Sequence, residues 1–561
     1  MNGRRWATGA AAVLLLVLAL AAGLAACGSS GGGSSGGGGS SPASTTPVKG
    51  GTLTVTFQGE PTGLDPAIAW ENESMSIERL TYQTFLTYAS KPGVAGTELV
   101  PDLATEVPSG TNGGISADGL VYTFHIRKGV KFAPPVSREV TAEDFKYSFE
   151  RMLKEPLAPA TYFYTGVVGA QDFIDGKAKD VKGYKIVDPY TVEITLAAPD
   201  GAFLMAYTMA FTSVIPKEWV EKVGKQINRK PLGTGPYVIT NWVPGQSITA
   251  ERNANWSGDT NQWVDTMEFV FSANPGTALL KLQRGEVDVL GDSIPAADYL
   301  RTKQDPTWGK YVVDTPNIAW YYVFMNVLEK PFDNPKVRQA VNYAINTERI
   351  QKLLAGQGKA LNQIYPVGMP GYQAEKQFYT YDPAKAKQLL AEAGFSNGFK
   401  VTFVCHNVDP FPKLAQAIQA DLKDVGIQAE LKQMDRATYW NFISLKKSNA
   451  AIGLSDWYMD FPDPSDWIGP LFTNPIDGGA NSSFYENPQV NDLYAQSASE
   501  LDTAKRIGMF QQMQDIIMQE APTAPLYQPI WNAMYGKNTG GFYMNPVNIF
   551  NFFEYWKLDG K

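Results

Sequence analysis

The sequence predicts a mixed α/β fold, and three observations predict it. Residues 52–57, 121–127 and 191–196 alternate polar and apolar side chains, the period of a half-buried strand. Residues 142–152 and 335–345 instead carry apolar side chains at helical spacing. Residues 399–431 run strand, helix, strand, the order of a parallel pair joined by a crossover helix.

Taken in order, the first strand is Thr-Leu-Thr-Val-Thr-Phe at 52–57. In the strand at 121–127, Tyr122, Phe124 and Ile126 share one face, and His125 falls on the other, solvated face. The helix opening at Ala142 has Thr141 as its cap and Asp144 at the third position as a capping-box partner. It aligns Phe145, Phe149 and Met152 on one side. The strand at 191–196 follows an Asp188-Pro189 turn. The helix at 335–345 presents Val337, Ala340, Val341, Ala344 and Ile345. A short helix at 383–393 has Asp382 as N-cap and Gly394 as its stop. A strand at 399–404, a helix at 412–425 and a strand at 427–431 complete the reading. The sequence shows no internal repeat.

A chain of 561 residues with 44% apolar content is globular and large enough for two to four domains. Its net charge of −8 excludes nucleic acid and anionic headgroups as natural partners. Past residue 48 no stretch approaches the length of a spanning helix. Aromatic content of 12%, with 27 Tyr and 13 Trp, suits both core and binding walls. Cys405 sits in the apolar run 399–405 and reads as a buried, inert thiol. The two histidines, His125 and His406, belong to no metal or nucleophile motif. There is no G-x-S-x-G elbow, and the nearest phosphate-loop candidate, at 169–178, has the wrong spacing. The expectation is a protein without cofactor or metal, not an enzyme, and with no means of hydrolysing ATP itself.

The N-terminus runs Arg4-Arg5, an apolar stretch at 10–26, then Leu24-Ala25-Ala26-Cys27 and a Gly/Ser run. This is an export-signal pattern, and its end resembles the lipobox of bacterial lipoproteins. The stretch at 10–26 is shorter than the ~20 apolar residues of a spanning helix and is interrupted by Gly23, which argues against a membrane anchor helix. Residues 1–26 are therefore expected to be a signal peptide. Cys27 is the expected lipidation site, and 27–47 a Gly/Ser-rich tether. With Cys27 lipidated, Cys405 has no disulfide partner. A 20-residue tether of this kind spans about 25 Å. The expected location is extracytoplasmic, lipid-anchored to the outer face of the cell membrane.

The densest chemical constellation is Asp456, Trp457, Tyr458, Asp460, Asp463, Asp466 and Trp467. A carboxylate in a closed cleft is a strong partner for an ammonium group, and aromatic neighbours exclude water. Two readings compete with a ligand site. Pro462 and Pro464 can shape a loop whose acids are merely solvated or capping. Alternatively, the Asp456 to Asp466 cluster supplies the acid and nucleophile of a secreted glycoside hydrolase. The spacing does not match a Ca²⁺-binding loop.

Several blocks in one register resemble the family 5 extracellular solute-binding proteins of bacterial ABC importers, the oligopeptide- and dipeptide-binding type. They include Gly50-Gly51-Thr52-Leu53, Glu60 to Pro66, Leu99 to Ala104 and Asp118 to Phe132. Thr141 to Phe145, Gly233 to Tyr237, Gly285 to Asp288, Arg338 to Ile345, Asp382 to Ala386 and Trp457 to Pro464 follow. The resemblance implies a two-lobed periplasmic-binding-protein-like fold with a hinge and an extra domain inserted in the first lobe. It implies lobe I at 48–93, 200–315 and 526–561, the inserted domain at 94–199, and lobe II at 316–525. It implies that Asp460 pairs with a peptide's α-amino group, with Trp457 and Tyr458 as neighbouring ligand contacts. The implied partners are a peptide, ABC permease subunits and, through them, ATPase subunits, with the protein itself a monomer. Oligosaccharides or a metal chelate are the alternative ligands.

Overall fold

The computed structural model describes residues 47–258, 262–473 and 475–558. The expected signal peptide, the expected lipidation site Cys27 and nearly all of the expected tether lie outside these residues.

Two large sheets with separate cores form two lobes. In the first sheet Thr52–Phe57 is central, parallel to both Thr266–Phe271 and Val289–Leu290. Ser247–Arg252 and Tyr237–Val243 extend it in antiparallel order. The period-2 pattern places Leu53, Val55 and Phe57 on one face, where all three are fully buried. The same core takes in residues from the far end of the chain: Met544, Phe550, Phe552 and Tyr555.

The second sheet runs Val312–Pro316, Thr523–Met534, Ala319–Met325, Ile452–Tyr458, Phe399–His406, Ile427–Met434. Gly358–Ala360 also pairs with Thr523–Met534. Ala319–Met325 is buried along its whole length, and its near-continuous apolar run is what a strand covered on both faces requires. Phe399–His406 and Ile427–Met434 are parallel, joined by the Phe411–Asp424 helix, as the strand–helix–strand order predicts. Both strands run further than the apolar pattern suggests. Cys405 and His406 stay in register with Gln433 and Met434, and the polar Lys432 and Gln433 hide the continuation of the second strand in the sequence.

A smaller antiparallel sheet, Val121–His125, Thr191–Thr195 and Tyr184–Asp188, carries a core of its own. The Ala142–Lys154 helix lays Phe145, Phe149 and Met152 on that core, and Phe145 stacks on Phe85 at 3.9 Å. The Asp144 carboxylate accepts the Thr141 N–H at 2.9 Å, the capping interaction foreseen.

Two paired segments run between the lobes. Val312–Pro316 lies antiparallel to the second half of Thr523–Met534, from Val312 opposite Met534 to Pro316 opposite Ile530. Leu526 and Tyr527 belong to the core of the second lobe, whereas Ala533, on the same strand, belongs to that of the first. Among the described residues no helix is long and apolar enough to cross a membrane.

Candidate functional site

The Ile452–Tyr458 strand delivers the constellation. Its alternation puts Asp456 and Tyr458 on one face and Trp457 on the other. After the strand, Pro462 and Pro464 turn the chain into the Ser465–Phe472 helix. Asp463 is 2% exposed, and its oxygens accept a fork of hydrogen bonds from Arg506 Nη1 and Nη2 at 2.6 and 2.7 Å. Asp463 also accepts the Ser465 N–H at 2.9 Å. It therefore clamps the turn, buried and committed to Arg506 and Ser465. Trp467 is fully buried in the core. For these two residues the loop-shaping reading holds.

Asp460 and Asp466 meet. Asp466 is buried, and its Oδ2 accepts the Asp460 N–H at 3.0 Å and the Trp457 Nε1–H at 3.4 Å. The two carboxyls lie close enough for each to shift the other's ionisation. Burial pushes the Asp460 carboxyl up to about 6. Burial, reinforced by the charge of Asp460, pushes Asp466 well above the carboxylate range. Asp466, the more strongly raised of the two, is the one that keeps its proton, so the pair carries one negative charge at neutral pH. Asp460 and Trp457 remain only partly buried.

The other side of this charge comes from a distant segment. Tyr162 and Phe163 sit on a short turn at Thr161–Tyr164. The Phe163 ring packs against Phe461 at 5.8 Å. Tyr162 is 56% exposed, yet burial of its hydroxyl, then the charges of Asp460 and Asp466, raise its ionisation. The sequence reading missed Tyr162, because nothing in its local pattern links it to a loop 300 residues away.

The opposite face of the strand holds a second carboxyl. Asp456 lies directly across from Tyr321, whose ring stacks on Tyr527 at 4.6 Å and whose hydroxyl meets that of Tyr458 at 2.9 Å. Burial pushes Asp456 up to about 7, with the Arg436 charge working against it. Tyr458 keeps 44% of its surface open while burial raises its hydroxyl well above the usual range. A side chain that is wetted yet deeply surrounded is the condition of a cleft wall. Nearby, His406 stacks on Phe411 at 3.7 Å and is lowered by burial to about 4, so it is neutral at pH 7. It cannot activate Cys405, which is fully buried and pushed up to about 11.

Chemically, the Asp460–Asp466 pair offers one net negative charge beside Trp457, Tyr162 and Phe461, while Tyr458 lines the opposite face of the strand with Asp456. The pair is suited to an ammonium group. Among the described residues no group of three or more His, Cys, Asp or Glu side chains is placed to hold a metal ion.

Two sheet-based lobes joined by paired crossing strands, with a carboxylate and aromatic wall at the end of one strand, define a two-lobed solute-binding protein. Residues 98–479 match the family model for bacterial extracellular solute-binding proteins, family 5 (middle region). The chain is 30% identical to heme-binding protein A of Haemophilus influenzae, over 89% of this chain and 91% of that protein. It is 28% identical to the dipeptide-binding protein of Escherichia coli, over 90% and 94% respectively. The structure superposes on the ABC transporter-associated periplasmic binding protein DppA of Helicobacter pylori, solved in complex with the peptide STSA. That match has a TM-score of 0.71 and 27% identity, covering 91% of this chain and 98% of that one. The chain belongs to the family 5 bacterial extracellular solute-binding proteins.

Proposed function

We propose that this protein captures peptides between its two lobes and delivers them to the permease of an ABC importer. The observation that carries the reading is the Asp460 carboxylate. It is partly open, its backbone N–H is held by Asp466, which also accepts the Trp457 Nε1–H, and it is faced by Tyr162 from another part of the chain. A free α-amino group placed there gains a charge-assisted hydrogen bond in surroundings that already desolvate the carboxylate. Trp457 beside it, and Tyr458 on the opposite face of the strand, are the further ligand contacts of this reading. Relatives named for dipeptide binding and for a bound peptide support the same ligand class.

In this reading lobe I comprises 48–93, 200–315 and 526–561, with an inserted domain at 94–199, and lobe II comprises 316–525. The hinge is the strand pair Val312–Pro316 and Ile530–Met534. The protein binds and does not catalyse, and it acts as a monomer outside the cytoplasm. A lipid on Cys27 tethers it to the membrane through residues 28–47. The permease and its ATPase subunits supply the transport energy.

Calorimetric titration with trialanine and N-acetyl-trialanine tests the site. Asp460→Ala is expected to cost about 2–5 kcal/mol for the free-amine peptide, the penalty for truncating one partner of a buried charge pair. The acetylated peptide is expected to lose far less. Equal losses for both peptides would remove Asp460 from the amino-group role.

A further inference from the structure

A cavity of about 230 Å³ lies beside the Asn72–Thr81 helix. Its lining falls within 75–102, at 127, within 208–258 and within 548–553, so none of it comes from 316–525 and none is shared with the Asp456 to Asp466 constellation. Glu78 lines it at 1% exposure, and neither of its carboxyl oxygens has a hydrogen-bond partner. The side-chain oxygen of Asn548, also on the wall, is likewise unpartnered. A buried carboxyl without a donor is costly, and native structures rarely keep one without use.

The other charged groups on the wall are Arg79, Asp102 and Arg127. Asp102 is already engaged: its oxygens accept from Gln83 Nε2 at 2.5 Å and from the Thr84 N–H at 3.0 Å. Arg127 donates to the Asp102 carbonyl. Arg79 makes no ion pair among the described residues. Among the described residues the wall therefore presents two unpartnered acceptors, Glu78 and the Asn548 side-chain oxygen, and one guanidinium without an ion pair, Arg79. Burial disfavours the charged forms of Glu78 and Arg79, raising Glu78 well above its usual range and lowering Arg79 to about 10. A ligand bearing an ammonium and a carboxylate would satisfy the two together. The cavity is smaller than the roughly 300–1,000 Å³ of drug-sized sites and many times the volume one water needs. That is the scale of a single amino acid.

We propose that this cavity is a second binding site, taking a small zwitterion of amino-acid size with its ammonium group on Glu78 and its carboxylate on Arg79. The test is equilibrium dialysis of the full chain against radiolabelled glycine and L-alanine, with and without saturating trialanine. Saturable binding is expected that trialanine does not displace. It is expected to persist in Asp460→Ala and to weaken about 30-fold or more in Glu78→Gln, the ratio implied by losing one partner of a buried charge pair. Glutamine keeps the size of the side chain, and circular dichroism checks the fold. Should that variant fail to fold, Arg79→Gln carries the same expectation. Three results would overturn the proposal: no saturable binding up to about 1 mM, unchanged binding in the folded variant, or loss of binding in Asp460→Ala, which would put the amino acid between the lobes. The Asp460→Ala arm works even if trialanine does not bind, so failure of the peptide reading stays distinguishable.

Discussion

At the residue scale the Asp460–Asp466 pair sets the terms of ligand capture, because two carboxyls in contact lose their protons as a unit. Asp466 serves Asp460 by staying protonated and by accepting the Asp460 and Trp457 N–H groups. An amide can do all of this. Asp466→Asn is therefore expected to keep trialanine affinity within a few-fold at pH 7. Asp466→Ala orphans two donors and is expected to cost about 1–3 kcal/mol in affinity. Titrating trialanine into both variants checks this; equal behaviour would show that the pair does not act through that hydrogen bond. The motif itself was legible in the sequence, but the division of labour inside it was not. Asp463 looks no different from Asp460 until Arg506, 43 residues further on, folds back onto it.

At the scale of elements, the Asp463–Arg506 fork joins the turn at the start of the Ser465–Phe472 helix to the Thr503–Glu520 helix. Arg506 is in turn pressed against backbone at Gly201, where an added Cβ would lie 2.6 Å from its Nε. Removing one partner of a buried ion pair strands the other charge, so Arg506→Met is expected to destabilise the protein by about 3–5 kcal/mol in urea unfolding. A loss under 1 kcal/mol would mean the pair is solvated in practice. Strand and helix positions were readable here because period and caps are local signals. The Asp382 side chain accepts the Lys385 N–H at 2.9 Å, as its cap position suggests. The tyrosine wall was not readable, because Tyr321, Tyr527 and Asp456 become neighbours only through pairing of three strands far apart in the chain.

At the scale of the whole molecule, buried carboxyls link stability to pH. Asp456 has an ordinary value of 3.8 and titrates near 7 in the fold. Between those values the folded chain holds a proton that the unfolded chain has released, so stability contributed at this site falls as pH rises through that window. Asp456→Asn removes the effect. It is expected to raise Tm by a few degrees at pH 8, with the gain closing toward pH 4; a gain independent of pH would show that packing, not charge, is responsible. The two-lobed architecture was legible only through the ordered set of family blocks, since no local pattern announces that one strand will place side chains in the cores of both lobes.

The closing of the first lobe by the last residues has a consequence for how the chain is made. Thr52–Phe57 leaves the ribosome first among the described strands, yet Met544, Phe550, Phe552 and Tyr555, which cover it, leave last. The second lobe, continuous in sequence, can settle while synthesis continues. The first must wait, its central strand uncovered, until the tail is delivered. A chain stalled or clipped before residue 544 would thus lose the lobe nearest its beginning, and quality control at the end of translation would act on the N-terminal half.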